Sequence, residues 1–206
     1  KLHNYVIGLI PNNNCHHQLR AKLDDSGNLI AMNHELASGD QGLGLFPVPG
    51  LEFILGGDII SAGHGAAFLY DVEHSDANIW HIDMPFGTSI WRGVGMYPNS
   101  FAIESFMDEV ARAANKDPFD LRLAHLPADP EKHERWKQML LSLREESGWD
   151  QPAAEGVGRG MAIIEDRITV AAAVVEIKIV DGKIRVQKVT SAVDPGVVIN
   201  PDGRSE

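Results

Sequence analysis

Apolar positions change period twice along this chain. Between 18 and 36 they alternate with polar ones, Leu19, Ala21 and Leu23 on one run and Ile30, Met32 and Leu36 on the next. Asp24-Asp25-Ser26-Gly27 separates the runs, so the pattern predicts a β-hairpin of 18–23 and 28–36. Two short strands are expected at 67–71 and 78–83. The spacing then becomes helical: Ile103, Phe106, Met107, Val110, Ala111 and Ala114 form one stripe within a helix at 100–114. Glu104, Asp108 and Arg112 fall on its opposite face, and Asn115 is its expected stop. Asp117-Pro118 and Asp129-Pro130 each pair a capping carboxylate with a proline at the first helical position and open two further helices. The last carries Trp136, Met139, Leu140 and Leu143 and ends at Ser147-Gly148. Alternation returns in 158–165, 169–180 and 183–194, with Asp181-Gly182 as a two-residue hairpin turn. Strands and helices are segregated, so the expected class is α+β, with antiparallel hairpins on either side of a three-helix cluster.

Residues 39–65 fit none of these periods. They hold eight glycines in 27 positions, and the Gly42-x-Gly44 pair lacks the lysine and following helix of a nucleotide loop. A long surface loop with a short helical turn is expected there.

Composition narrows the partners. The 206 residues are 44% hydrophobic and 23% charged, enough for a real core. A net charge of −11 argues against nucleic acid or an anionic membrane surface as partner, because both need clustered Lys and Arg. No run reaches the roughly 18 apolar residues of a membrane span. Cys15 is the only cysteine, which leaves no intrachain disulfide and no iron–sulfur cluster held by this chain alone. The chain starts at Lys1 without an initiator Met and stops just after a turn motif, so it reads as a fragment truncated at both ends, one partial domain over 1–206. Its compartment is therefore open.

Two glycine turns carry the candidate chemistry. Trp91-Arg92-Gly93-Val94-Gly95 sets an arginine on a flexible turn directly before a helix N-terminus, whose first amides are unpaired donors at the positive end of a dipole. The plain alternative is a tight turn whose arginine caps a carbonyl or pairs with an acid. Asp194-Pro195-Gly196-Val197-Val198-Ile199-Asn200-Pro201 is the second, either a turn and nothing more or a loop offering backbone amides around Gly196 to a ligand.

Other constellations fall short. Cys15-His16-His17 has metal-ligand chemistry, yet neighbours on a strand point to opposite faces, and His3, His34, His64 and His81 follow at no metal-site spacing. No metal site is assigned. His125 and His133 are read as surface residues. There is no Gly-x-Ser-x-Gly elbow, and Ser61 and Ser191 lack an evident base. Glu145-Glu146 and Glu165-Asp166 are read as solvated.

Four ordered motifs nevertheless resemble one family. Trp91 through Gly95, Asn99-Ser100-Phe101-Ala102-Ile103-Glu104-Ser105-Phe106-Met107-Asp108-Glu109 with Lys116-Asp117-Pro118-Phe119-Asp120-Leu121-Arg122-Leu123, Gly158-Arg159-Gly160-Met161-Ala162, and Ser191-Ala192-Val193-Asp194 through Asn200-Pro201 are similar to the large molybdenum-binding subunit of xanthine oxidase/aldehyde oxidase-type hydroxylases. The isoquinoline 1-oxidoreductase β-subunit and aldehyde-oxidising relatives are the nearest in pattern. The resemblance implies molybdenum on molybdopterin cytosine dinucleotide in the full protein, a separate small iron–sulfur subunit with 2Fe–2S clusters, and oxidation of an aldehyde or N-heterocycle by insertion of a water-derived oxygen. It assigns Arg92 beside the molybdenum as the catalytic-site residue. Arg92, Gly93, Val94 and Gly95 would be the first cofactor-binding turn, and Asp194, Gly196 and Asn200 the second.

The departures also carry expectations. Val94 replaces the aromatic residue that stacks on purines in xanthine oxidases, which points away from a purine substrate. Pro195 removes one backbone donor. The family's catalytic glutamate and its Gly-Gly-x-Phe-Gly loop are not among these residues, so the chain alone is expected to be inactive and to retain no cofactor. The alternative function is a non-catalytic interaction or assembly module on the same scaffold.

Overall fold

The computed structural model describes residues 15–39, 58–85, 88 and 92–198. The chain divides into two compact units, Lys1–Phe106 and Met107–Glu206.

In the first unit, β1 (Cys15–Leu23) runs antiparallel to β2 (Leu29–Ser38), with Leu19 opposite His34. The expected turn joins them: Asp24 Oδ1 accepts the amides of Ser26 (2.9 Å) and Asn28 (2.7 Å), and Gly27 takes a φ of 74°. β2 buries Leu29, Met32, His34, Leu36 and Ser38. The next strand differs from expectation. β3 (His74–His81) begins four residues before the expected 78 and lies parallel to β2, from Ala31 opposite His74 to Ser38 opposite His81. Parallel partners are joined through long crossovers, and no local turn signal announces them. Residues 67–71 form no strand. Tyr70 is instead a buried anchor whose hydroxyl donates to Glu104 Oε1 at 2.7 Å. The glycine-rich 39–65 falls largely outside the described residues, but its end holds a five-residue helix, α1 (Ile59–Gly63), capped by the Asp58 side chain.

Helix α2 (Met96–Ala113) starts four residues earlier than expected, with Pro98 in its first turn, where a missing N–H costs no helical bond. Glu104 and Asp108, expected opposite the apolar stripe, are both engaged by the protein. Glu104 is buried, and Asp108 accepts from Arg122 Nη1 at 2.8 Å.

The second unit follows the sequence closely. α3 (Pro118–Ala124) and α4 (Pro130–Ser147) begin with Asp117 and Asp129, each accepting two amides of the first turn. Gly148 ends α4 at φ 70°, the left-handed position a C-terminal glycine provides. β4 (Val157–Asp166), β5 (Thr169–Val180) and β6 (Lys183–Asp194) form an antiparallel sheet in that order. Asp181 and Gly182 turn the second hairpin with φ values of 52° and 70°, as a type I′ loop demands. Phe119, Leu121, Trp136, Leu140 and Leu143 are buried, as are Met161, Ile163, Val170 and Val174 on one face of the sheet. Each such side chain contributes about 2 kcal/mol of burial. Glu165 is not solvated as expected; it is 5% exposed, accepting from Trp136 Nε1 at 2.8 Å and paired with Lys132 Nζ at 2.7 Å. Strands and helices are segregated in a mixed α+β architecture.

Candidate functional site: two glycine turns

The Arg92 turn is held by its backbone. Gly93 and Val94 both take positive φ, 88° and 52°. For Gly93 this is free, but for a β-branched residue it is a strained conformation that persists only when neighbours enforce it. The enforcing contacts follow at once. The Gly95 amide donates to Ser61 O (3.1 Å), Met96 N to Gly93 O (2.8 Å) and Asn99 N to Gly95 O (3.1 Å). Asn99, fully buried, donates through Nδ2 to Ala62 O and His64 O, both at 2.9 Å. The start of α2 thus caps the carbonyl end of α1. Gly95 has no room for a side chain: a Cβ there would overlap the carbonyl oxygens of Ser61 and Ala62 and come within 2.9 Å of that of His64.

What the turn leaves free is chemically specific. Arg92 is exposed and, among the described residues, has no hydrogen-bond or ion-pair partner. The amides of Gly93, Val94 and Tyr97 likewise make no backbone hydrogen bond among those residues. A guanidinium therefore stands beside three spare N–H groups at a helix N-terminus, a donor set that suits anionic oxygens. Asn99 was not singled out by sequence reasoning. Its Oδ1 is buried without a partner, while both of its carbonyl contacts fix the amide orientation.

The second turn is arranged the other way. Asp194 Oδ1 accepts the Gly196 amide at 2.9 Å, and Oδ2 takes Arg135 Nε at 2.8 Å. The Gly196 amide, expected to face a ligand, is therefore spent within the turn. Val197 and Val198 make no backbone hydrogen bond among the described residues, and Val197 is 90% exposed. Asn200 lies outside the described residues.

Two of the histidines, His17 and His34, form a hydrogen-bonded pair. His34 Nδ1 contacts Ala66 O at 2.9 Å, and a carbonyl only accepts, so Nδ1 carries the proton and Nε2 the lone pair. His17 Nδ1, 3.0 Å from that Nε2, must then be the donor. Both rings are neutral. Burial, with His34 and His16 adding to it, pushes His17 down to about 4, and burial lowers His34 as well. Among the described residues no three His, Cys, Asp or Glu side chains are grouped to hold a metal ion.

Known proteins resemble this chain along most of its length. It is 28% identical over 189 residues to isoquinoline 1-oxidoreductase subunit beta of Brevundimonas diminuta, covering 88% of the chain and 23% of that protein. It is 30% identical over 156 residues to the aldehyde oxidoreductase molybdenum-binding subunit PaoC of Escherichia coli O157:H7, covering 69% of the chain and 19% of that protein. The fold resembles quinoline 2-oxidoreductase from Pseudomonas putida 86, with a TM-score of 0.51 at 18% identity over 84% of this chain and 26% of that one. No family model matches the chain. It spans about a quarter or less of the length of these curated relatives. Ordered motifs, sequence relatives and fold agree: the chain belongs with the large, molybdenum-binding subunits of the xanthine oxidase/aldehyde oxidase superfamily.

Proposed function

We propose that this chain is part of the large subunit of a molybdenum hydroxylase, and that the Arg92–Gly95 turn borders its metal–pterin site. When bound, that group supplies the oxidation that inserts a water-derived oxygen into an aldehyde or an electron-poor carbon of an N-heterocycle. The carrying observation is the unpaired guanidinium of Arg92 on a backbone fixed by Gly95 and Asn99. Its role is to hold negative charge next to the reacting centre; the amides of Gly93, Val94 and Tyr97 add fixed donors that need no reorganisation. The chemistry of this donor set fits an oxygen-rich anion. On the second turn, Asp194 shapes the backbone and the Val197 and Val198 amides face the cofactor; the family resemblance adds Asn200 as a further cofactor-binding residue. Val94 leaves room without a stacking ring, favouring aldehydes or N-heterocycles over purines. The names of the relatives support the same two substrate classes. The relatives named as subunits support a separate iron–sulfur subunit that takes the electrons, and the cofactor form is the cytosine dinucleotide. Both units then belong to one partial molybdopterin-binding domain, inactive without the remainder.

A non-catalytic assembly module is the second reading. It is favoured by the uncharged sheet face carrying Ile179, Ile184, Val186, Val189 and Val193, each more than half exposed. Elemental analysis of the full-length protein purified with its partner separates the two. About one molybdenum per large subunit supports the hydroxylase; none supports the module.

A further inference from the structure

The polar face of α4 near its start is unusual in where it lands. Lys132, Arg135 and Trp136 are spaced i, i+3, i+4 and so share one face. Lys132 and Trp136 hold Glu165 at the end of β4. Arg135 reaches two separate chain segments. Its Nη2 donates to Ile168 O in the β4–β5 turn (2.6 Å), and its Nε to Asp194 Oδ2 (2.8 Å), with Asp194 O at 3.5 Å from Nη2. Gly196 packs onto the same Ile168, where a Cβ would sit 3.6 Å from its Cδ1.

We infer that Arg135 is a positioning residue that fixes the direction in which the chain leaves β6, and through it the amides of Val197 and Val198. The inference rests on the reading of this turn as cofactor-facing. Three features argue for it. Asp194 has both carboxylate oxygens engaged, one by Gly196 and one by Arg135, so the guanidinium sets the carboxylate and the carboxylate sets the turn. The guanidinium serves the carboxylate and the carbonyl of another loop through two different nitrogens, Nε and Nη2, held in fixed directions, whereas an ammonium has its three donors on one nitrogen at the end of a flexible stem. Pro195 stiffens the turn between the two anchored residues, so little freedom remains once Asp194 and Gly196 are held.

The test uses the full-length protein with its partner. Arg135→Ala and Arg135→Lys are compared with Arg144→Ala, which removes an arginine of the same helix paired with Asp120 and Asp150 instead. Exchange of the Gly196 amide, the one bonded to Asp194 Oδ1, is read first. It should rise about tenfold in both Arg135 variants, with Lys failing to rescue, and stay at the native rate in Arg144→Ala. Molybdenum per subunit is read second and should fall by half or more in the Arg135 variants alone. Unchanged exchange in Arg135→Ala overturns the positioning role. Faster exchange with full molybdenum keeps the clamp but overturns the turn's contact with cofactor. Asp194→Asn, which keeps the acceptor for Gly196 and loses the charge facing Arg135, should reproduce the exchange effect if Arg135→Ala folds poorly; native exchange there also overturns the role.

Discussion

The two glycine turns solve opposite problems. At 92–95 the turn is pinned by Gly95 and Asn99, which bind carbonyls at the end of α1, and the Arg92 side chain is left without a partner among the described residues, beside the spare amides of Gly93 and Val94. At 194–196 the side chain is consumed and the backbone beyond it is free, because Asp194 spends its carboxylate on Gly196 and Arg135. The first turn delivers a charge beside spare amides, the second amides alone. A residue in a motif is thus not equivalent to a group offered to a ligand; the hydrogen-bond inventory decides which of its atoms remain.

The sharpest way to break the comparison is at Gly95. Gly95→Ala forces a methyl into backbone oxygens that cannot rotate away, and should destabilise the full-length protein by about 3 kcal/mol in urea denaturation. A loss below about 0.5 kcal/mol would mean that the turn is not pinned. At Gly196 the nearest atoms are the flexible end of Ile168 and its carbonyl at 3.7 Å, so space is not what demands glycine there; its φ of 77° is.

Acid should sharpen the comparison with a smaller effect. The His17–His34 pair is neutral when folded and holds Ala66 O, next to Gly65, which packs on Met96 at the start of α2. The unfolded chain protonates these rings near 6.5, whereas folded His17 waits until about 4. Between those values the unfolded state binds more protons, so stability falls as pH drops through the window and the slope flattens below it. Hydrogen exchange from pH 7 to 4, corrected for intrinsic rates, should show 61–66 loosening while the Gly196 amide keeps its neutral-pH protection. His17→Phe should remove much of this dependence; an unaltered slope would assign it elsewhere.

Much of the second unit was legible because its signals are local. Asp117, Asp129 and Gly148 mark helix ends, and Asp181-Gly182 sets a hairpin register, all through contacts within a few residues. The first unit hid more. β3 pairs in parallel with β2 some 43 positions away, as Ala31 and His74 show, and no turn residue encodes that. Glu104 and Glu165 look like surface acids until Tyr70 and the Trp136–Lys132 pair are found beside them. The candidate residues Arg92, Asp194 and Gly196 were visible as motif members. Arg135 was not, since its link to Asp194 crosses 59 positions.

The central claim stands on the free guanidinium, and turnover of the full-length, partner-bound Arg92→Ala variant tests it most directly. The turn is held by Gly95 and Asn99, so the melting temperature should match the native protein while kcat falls about a hundredfold or more, the scale of losing one preorganised charge contact. Native turnover in a variant that retains its molybdenum would contradict the account.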